Sequence, residues 1–327
     1  MKKSVVFILM VFIVACLCFF PSLDAKAETE LKAISFMPKD HQLCGMLPVW
    51  IDRVNKELKG VVKINWVGGP EVMAAFNQPE AVRKGIFQIG FIPAAYYSGM
   101  LPEADAISLS GYDFAKEREK GGIWDYMVER HKKINMIPLG TFLYSPFYLF
   151  TKKPVAKLDD LKGMKLRTAA KYDKMMKKLG IVPVTVEFGE TYTALQRGAV
   201  EGFGWSLMGL RDNGWLENVK HVIDIPFYAR QNTLMLMNLD AWQKLPKDVQ
   251  AKIIDITVKF EPEMNAHFKQ VIATEWVAME KMGVKRVKFS PEDTRKFLQA
   301  ANDGFFEDLE KKKPDQVKIL KNIMGLK

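Results

Sequence analysis

Cysteine is scarce in this chain, which limits how the protein is stabilised. Three cysteines occur in 327 residues, and two of them, Cys16 and Cys18, lie in an apolar run near the N-terminus. Cys44 alone lies beyond residue 27, so an intrachain disulfide is excluded once that N-terminal segment is removed. The remaining chain must be held by its hydrophobic core, and it is long enough for two domains.

Motifs for bond-making chemistry are also lacking. The four histidines are His41, His131, His221 and His267, and no two of them have the spacing of metal ligands. C-x-x-C, H-E-x-x-H, G-x-S-x-G and Walker-type sequences are absent. The paired carboxylates Asp159-Asp160 and Glu292-Asp293 lie at predicted helix starts, where they complement the helix dipole. We therefore expect no catalytic residues, no metal site and no cofactor, and a protein that is not an enzyme.

Long apolar runs are confined to the N-terminus. Val5 to Phe20 is almost uninterruptedly apolar, follows two lysines and precedes the small-x-small sequence Ala25-Lys26-Ala27. This pattern predicts a signal peptide over residues 1–27, cleaved after Ala27, and export to the periplasm. The run is short for a membrane span. Lipidation at Cys16, within a lipobox-like sequence, remains the alternative.

Acidic residues are outnumbered by basic ones. The whole chain has a formal net charge of +10, and removing residues 1–27, which carry +2, leaves about +8. This balance favours anionic partners in a general way. The lysines are dispersed and their longest run is Lys311-Lys312-Lys313, so we do not expect a nucleic-acid partner.

Short apolar runs alternate with amphipathic stretches, which predicts an α/β fold. The predicted strands cover residues 31–36, 61–67, 86–92, 134–139, 147–151, 164–168, 182–186, 199–203 and 234–238. The predicted helices cover residues 47–58, 79–84, 171–179, 190–197, 248–282 and 291–311. A break near Pro262 in the longest helix is left open, and Ser290 is a candidate N-cap for the last one.

Two joints between a helix and a strand resemble each other. Residues 81–85 end in glycine before the predicted strand at 86–92, and residues 194–198 end in glycine before the strand at 199–203. Glycine suits the end of a helix because that position favours a left-handed backbone. The joints lie 113 residues apart, which suggests two similar lobes with a cleft between them.

The strongest candidate for a ligand contact is Arg167. It lies at the carboxyl end of the predicted strand 164–168, the side on which open α/β sheets bind ligands. An arginine can hold a carboxylate through two parallel charge-assisted hydrogen bonds. An ordinary structural ion pair is the alternative. Since the stretch Tyr192 to Trp205 delivers an aromatic residue at the end of another strand, the pattern favours a site that holds an anion.

Residues 31 to 325 resemble the solute-binding proteins of tripartite ATP-independent periplasmic (TRAP) transporters, the dicarboxylate-binding-protein-like family. The motifs that carry the resemblance are Lys153-Pro-Val155, Asp159 to Arg167, Tyr192 to Gly202 and Trp242 to Pro246. The resemblance implies a two-lobed periplasmic-binding-protein fold, type II-like, with a long helix in the C-terminal half. It also implies delivery of a solute to membrane permease subunits, with Arg167 forming a salt bridge to the solute carboxylate.

The chain departs from the family pattern at three positions. Trp205 stands where the family often has asparagine, Ser145-Pro-Phe147 where many members have a second arginine, and Glu201 where an aspartate is usual. A second carboxylate would lack a partner, and burying it unpaired would be costly. We therefore expect a monocarboxylate with a hydrophobic or aromatic part, with Trp205 and Phe147 enclosing that part. A purely structural Trp205 is the alternative.

These inferences define a set of expectations. The expected solute contacts are Arg167, Trp205, Phe147, Phe203, Tyr96, Asn232, Gln231, Phe76, Gln78 and His41. Lobe one is predicted to comprise residues 28–145 plus 231–274, and lobe two residues 146–230 plus 275–327. We expect a monomer whose partners are the solute and the permease. The alternatives are a binding module of an ATP-driven importer or sensor, and a TRAP receptor for a C4-dicarboxylate or sugar acid.

Overall fold

The structure is a computed structural model that describes residues 28–168 and 172–326. The predicted signal peptide and Cys16 lie outside these residues. The strands are β1 (Thr29–Ser35), β2 (Val62–Gly68), β3 (Ile89–Pro93), β4 (Met136–Thr141), β5 (Tyr148–Thr151), β6 (Lys165–Thr168), β7 (Val182–Thr185), β8 (Gly202–Trp205), β9 (His221–Ile223), β10 (Thr233–Asn238) and β11 (Lys285–Val287).

Ten α-helices are found in the described part of the chain. They are α1 (Leu47–Glu57), α2 (Gln78–Arg83), α3 (Phe114–Glu117), α4 (Ile123–Lys132), α5 (Asp173–Lys178), α6 (Thr191–Gln196), α7 (Leu239–Lys244), α8 (Lys247–Lys281), α9 (Pro291–Lys312) and α10 (Pro314–Ile323). Within the described ranges, none combines the length and apolarity that crossing a bilayer requires. The mixture of helices and strands confirms the predicted α/β class.

The strands form two sheets with the same internal order. The first sheet runs β2-β1-β3-β10-β4, and the second runs β7-β6-β8-β5-β9 with β11 added beside β9. In each sheet the fourth strand, β10 or β5, is antiparallel to the third. β5 is the first strand after the chain passes from the first sheet to the second, and β10 is the first strand after it passes back. Gly85 and Gly198, which precede β3 and β8, have φ values of +74° and +72°. The two predicted glycine joints are thus confirmed at equivalent points of two similar sheets.

Helix α8 links the two sheets. Trp50 on α1 donates from Nε1 to Thr257 Oγ1 on α8 at 3.0 Å, and the Thr141 amide of β4 donates to Glu261 at 2.8 Å. Further along α8, the ring of Trp276 lies 5.5 Å from that of Tyr148 on β5. The helix therefore packs on the first sheet with its middle and on the second sheet near its end.

Pro262 lies inside α8 without breaking it, so the break that the sequence left open does not occur. Proline lacks the amide that would bond the carbonyl of Val258, one turn earlier. Val258 is 40 % exposed, so this part of the helix surface faces solvent. At the start of α9, Ser290 accepts a hydrogen bond from the Asp293 amide at 3.1 Å, which confirms the predicted N-cap.

The C-terminal segment packs differently from the predicted division into lobes. Leu309, Val317 and Leu320 are buried in one cluster with side chains of the first lobe, among them Tyr97 and Trp124. The end of α9 and the buried face of α10 therefore lie against lobe one, whereas residues 275–327 were all predicted to belong to lobe two. The contacts are with helical segments distant in sequence, so no local pattern reveals them. The other lobe boundaries stay predictions.

Candidate ligand-binding cleft

Arg167 lies at the carboxyl end of β6, as predicted. Its neighbour across the sheet is Phe203 on the parallel strand β8. The side chain is 3 % exposed, and its Nε donates to the carbonyl of Val186, just beyond β7, at 3.0 Å. This bond orients the guanidinium across the carboxyl ends of β6, β7 and β8, because parallel strands end at the same edge of a sheet.

The charge of Arg167 has no acidic partner within the described part of the chain. Its Nη1 is buried and makes no hydrogen bond there, and none of the ion pairs formed by the described residues includes this arginine. A buried charge is costly unless it is paired and hydrogen-bonded. The arrangement therefore suits an anion that completes the coordination of the guanidinium.

A group of aromatic side chains stands next to this guanidinium. The guanidinium carbon lies 5.1 Å from the ring centroid of Trp205, which is 5 % exposed. The Trp205 ring in turn lies 5.7 Å from Phe147, 5.4 Å from Phe188 and 5.5 Å from Trp215. We call Phe147, Phe188, Trp205 and Trp215 the aromatic wall. Three of its four side chains are at most 5 % exposed, so the wall is a packed aromatic group beside a single positive charge.

Gly204 of β8 is required for the packing behind this wall. The Tyr172 hydroxyl donates to the Gly204 carbonyl at 2.6 Å, and a Cβ at residue 204 would lie 2.6 Å from the Tyr172 ring. A larger residue would push Tyr172 away from the strand. The packing of Tyr172 against β8 therefore depends on the glycine that precedes Trp205.

His41 approaches the wall from the first lobe. Its ring centroid lies 5.9 Å from that of Phe188. Its Nδ1 accepts a hydrogen bond from the Leu43 amide at 3.1 Å, so in the neutral ring the proton is on Nε2. Burial lowers the pKa of His41, against the opposing effect of Asp212 and Asp40. Nε2 is buried without a partner among the described residues, which makes it a neutral donor.

Tyr96 and Phe76 form the first lobe's aromatic contribution. Their ring centroids lie 4.4 Å apart, and Phe76 is 51 % exposed. Burial raises the pKa of Tyr96 to about 12, while the nearby charge of Arg167 lowers it and that of Glu187 raises it. The hydroxyl therefore stays protonated at neutral pH, within the field of Arg167.

Four predicted contacts are engaged elsewhere in the fold. Phe203 is fully buried between the rings of Phe150 and Trp215. Gln78 donates to the carbonyls of Ser35 and Met73, at 2.9 and 3.0 Å, and its Oε1 is buried without a partner in the described residues.

The remaining two predicted contacts lie where the chain returns to the first lobe. The Asn232 side-chain amide donates to the Ala104 carbonyl, and the Gln231 backbone amide donates to the Ser145 carbonyl at 2.8 Å. These bonds tie the crossing segment to its neighbours. A role in binding stays a prediction for all ten candidates.

Several residues in this region were not among the contacts predicted from the sequence. Phe188 and Trp215 belong to the wall, and Gln42 joins the two lobes beside His41. Phe188 could have been found, because it follows the carboxyl end of the predicted strand 182–186. Trp215 and Gln42 have no local signal. Within residues 28–168 and 172–326, no cluster of three or more His, Cys, Asp or Glu side chains suits a metal ion.

Two lobes, a cleft between them and a buried arginine with no acidic partner among the described residues are typical of solute receptors of the periplasmic-binding-protein type. Residues 35–310 match the family model of the bacterial extracellular solute-binding proteins, family 7, also named DctP. The chain belongs to this family. One relative, from Nostoc sp., is 25 % identical over 269 residues, which cover 79 % of this chain and 72 % of the relative. It is named a monocarboxylate 2-oxoacid-binding periplasmic protein.

Solved structures agree with this assignment. A TRAP periplasmic solute-binding protein from Desulfovibrio salexigens, with bound orotic acid, superposes with a TM-score of 0.81 at 19 % identity, covering 91 % of this chain and 98 % of that one. A Bordetella pertussis receptor that binds pyroglutamic acid gives a TM-score of 0.75 at 22 % identity, covering 90 % and 99 %. The predicted TRAP resemblance and the two-lobed fold with a long helix are confirmed.

Proposed function

We propose that the protein is the extracytoplasmic receptor of a TRAP transporter and binds a 2-oxo monocarboxylate with a branched or aromatic apolar part. The observation that carries the proposal is the buried guanidinium of Arg167, which has no acidic partner among the described residues and lies beside the aromatic wall. The solute carboxylate pairs with Arg167, and the wall covers the apolar part. The closed, monomeric receptor then delivers the solute to the permease, with no covalent chemistry.

A single carboxylate fits the available charges. Among the described residues, the buried lysine and arginine side chains are Arg167 and Arg230. Arg230 already pairs with the buried carboxylate of Glu117, where the chain crosses between the lobes. A second carboxylate of a solute would find no other unpaired buried cation in the described part of the chain, and its desolvation would go uncompensated.

An apolar body fits the surfaces on both sides. Trp205 and Phe147 occupy positions where many family members have polar or charged groups, and here their rings lie 5.7 Å apart. Phe76 and Tyr96 supply aromatic surface from the first lobe. Burying a branched or aromatic side chain against such surfaces contributes about 1.5–3 kcal/mol.

A 2-oxo group fits the donors that remain. The Nε2–H of His41 and the hydroxyl of Tyr96 are neutral, and each can donate to an oxygen that only accepts hydrogen bonds. The name of the Nostoc relative, a monocarboxylate 2-oxoacid-binding protein, supports this solute class.

A solute panel tests the proposal. Purified protein, unfolded and refolded to remove copurified solute, is titrated by calorimetry with 4-methyl-2-oxopentanoate, phenylpyruvate, pyruvate, succinate and D-glucuronate. We expect tight binding of the first two acids, because they alone combine one carboxylate with a large apolar part. Tight binding of succinate or glucuronate, without binding of the branched and aromatic 2-oxo acids, would refute the proposed solute class.

Trp205→Asn, with Trp205→Phe as its matched control, extends this test to the wall. The asparagine variant should bind 4-methyl-2-oxopentanoate about 10- to 100-fold more weakly, which corresponds to losing about 1.5–3 kcal/mol of apolar contact. Pyruvate, which has only a methyl group to bury, should lose less. The phenylalanine variant should keep most of the affinity for the branched acid.

A further inference from the structure

A loop of the first lobe reaches across the cleft at Gln42, next to His41. The side-chain oxygen of Gln42 accepts a hydrogen bond from the amide of Gly209, in the second lobe, at 2.9 Å. The side-chain nitrogen of the same residue donates to Glu275 Oε1, near the end of α8, at 3.2 Å. One amide group thus bonds to the opposite lobe and to the helix that links the lobes.

Glu275 connects this amide to a third partner. The residue is 2 % exposed, and its two oxygens accept hydrogen bonds from Arg211 Nε at 2.9 Å and from Arg211 Nη2 at 2.8 Å. Arg211 lies in the same loop of the second lobe as Gly209. The planar guanidinium therefore holds the carboxylate in the orientation that Gln42 requires.

We propose that Gln42, Glu275 and Arg211 form a clasp that closes the cleft and sets how long the solute stays bound. These are positioning residues, which act through His41. A Cβ built on Gly209 would lie 3.2 Å from His41 Nε2, so the clasped glycine lies directly against the imidazole. The clasp holds that imidazole against the aromatic wall, and opening the clasp withdraws it. The inference rests on the proposed function only in that a solute enters this cleft.

Two substitutions of Gln42 test the clasp without removing the ion pair of Arg211 and Glu275. Gln42→Ala removes both hydrogen bonds of the amide. Gln42→Glu keeps an acceptor for Gly209 but brings a second carboxylate against Glu275. Arg53→Ala is the matched control, because Arg53 on α1 makes a similar two-pronged pair with Glu263 of α8, at 3.0 and 2.7 Å, without reaching the second lobe.

Stopped-flow fluorescence of the cleft tryptophans measures release of 4-methyl-2-oxopentanoate. The dissociation rate should rise about tenfold in Gln42→Ala and further in Gln42→Glu, while the association rate changes by less than about twofold. Arg53→Ala should release the acid at the wild-type rate. A variant that slowed association and left release unchanged would overturn the clasp.

Hydrogen exchange in solute-free protein separates this inference from the proposed solute. The Gly209 amide, followed in a peptide covering residues 206–213, should exchange faster in Gln42→Ala than in wild type or in Arg53→Ala. Equal exchange in all three proteins contradicts the clasp. If wild-type protein binds neither 4-methyl-2-oxopentanoate nor phenylpyruvate, the proposed solute class is wrong, and the exchange comparison alone decides whether the clasp exists.

Discussion

Under the proposed function, the solute is selected by two buried donors that have no partner among residues 28–168 and 172–326. Arg167 Nη1 carries part of a positive charge, and His41 Nε2 carries a neutral proton. Leaving such donors unsatisfied costs about 1–3 kcal/mol for a neutral group and more for a charged one. A solute whose oxygens accept hydrogen bonds from both donors removes this unfavourable free energy. The free energy recovered in this way contributes to binding.

The burial of His131 can be tested through the pH dependence of protein stability. The side chain is buried, its Nδ1 donates to the Met127 carbonyl at 2.6 Å, and its Nε2 accepts from the Tyr97 hydroxyl at 2.9 Å. Burial lowers the pKa of His131 to about 4, against the opposing effect of the Met127 carbonyl. Below about pH 6.5 the unfolded chain therefore binds a proton that the folded protein does not, and stability falls as the pH falls toward about 4.

We expect this residue to remove about 1.5 kcal/mol from the free energy of unfolding between pH 6.5 and pH 5. Urea unfolding at both pH values measures it. His131→Phe should be less stable at neutral pH, because Tyr97 loses its acceptor, but should lose less stability on acidification. His267→Gln, which removes an exposed histidine, is measured beside it for comparison. An equal loss in wild type and His131→Phe would show that His131 does not titrate in this way.

The sequence could predict that Arg167 and Trp205 lie close together, but it could not predict most of their surroundings. Arg167 follows a predicted strand, and Trp205 stands out because it replaces a residue type that the family pattern favours. The free proton of His41 depends on a bond to the Leu43 backbone, which requires coordinates. The side chain of Gln42 bonds to Gly209 and Glu275, which are far from it in the sequence. Such distant pairs leave no periodic pattern in the sequence.

The order of the strands in the second sheet brings Arg167 and Trp205 together. β6 and β8 are parallel neighbours, so Arg167 and Trp205 emerge at one edge of the second sheet. The predicted strands agree with the observed ones within a few residues. The three-residue strands β9 and β11 were missed, because so short a segment has no recognisable alternation. The helix α4 was missed although its buried residues Ile123, Met127 and His131 follow helical spacing.

The contact between β4 and α8 gives a prediction at this scale. A Cβ on Gly140 of β4 would lie 2.2 Å from the Cγ2 of Thr257 and 3.0 Å from an oxygen of Glu261, both on α8. Thr257 cannot rotate freely, because its hydroxyl bonds to Trp50 and to the Ile253 carbonyl. Gly140→Ala should therefore lower the free energy of unfolding by about 1–3 kcal/mol, the usual cost of overpacking.

Gly111→Ala is the matched control for this substitution. Gly111 has no neighbouring atom within 4 Å of an added Cβ, so its stability should stay within about 0.5 kcal/mol of wild type. Urea unfolding compares the three proteins. Equal stabilities would mean that α8 lies farther from β4 than the structure indicates.

The whole molecule is two similar sheets joined by crossing segments and by one long helix. The glycine joints in the sequence hinted at this similarity, and the shared strand order explains it. The return of α10 to the first lobe was not predictable, because its apolar face indicates burial but not the partner. α8 packs on both sheets. When the cleft closes, the second lobe must therefore move relative to α8 while the two stay in contact.

The contact between Arg167 and the solute carboxylate is measured by calorimetric titration of 4-methyl-2-oxopentanoate into wild type, Arg167→Ala and Arg167→Lys. Arg53→Ala is the control for loss of an arginine. The alanine variant should lose about 2–5 kcal/mol of binding free energy, the scale for truncating one partner of a buried charge pair. The lysine variant should recover part of it, because the charge remains while the two-pronged geometry is lost. Near-unchanged affinity of Arg167→Ala for an acid that wild type binds tightly would contradict the account.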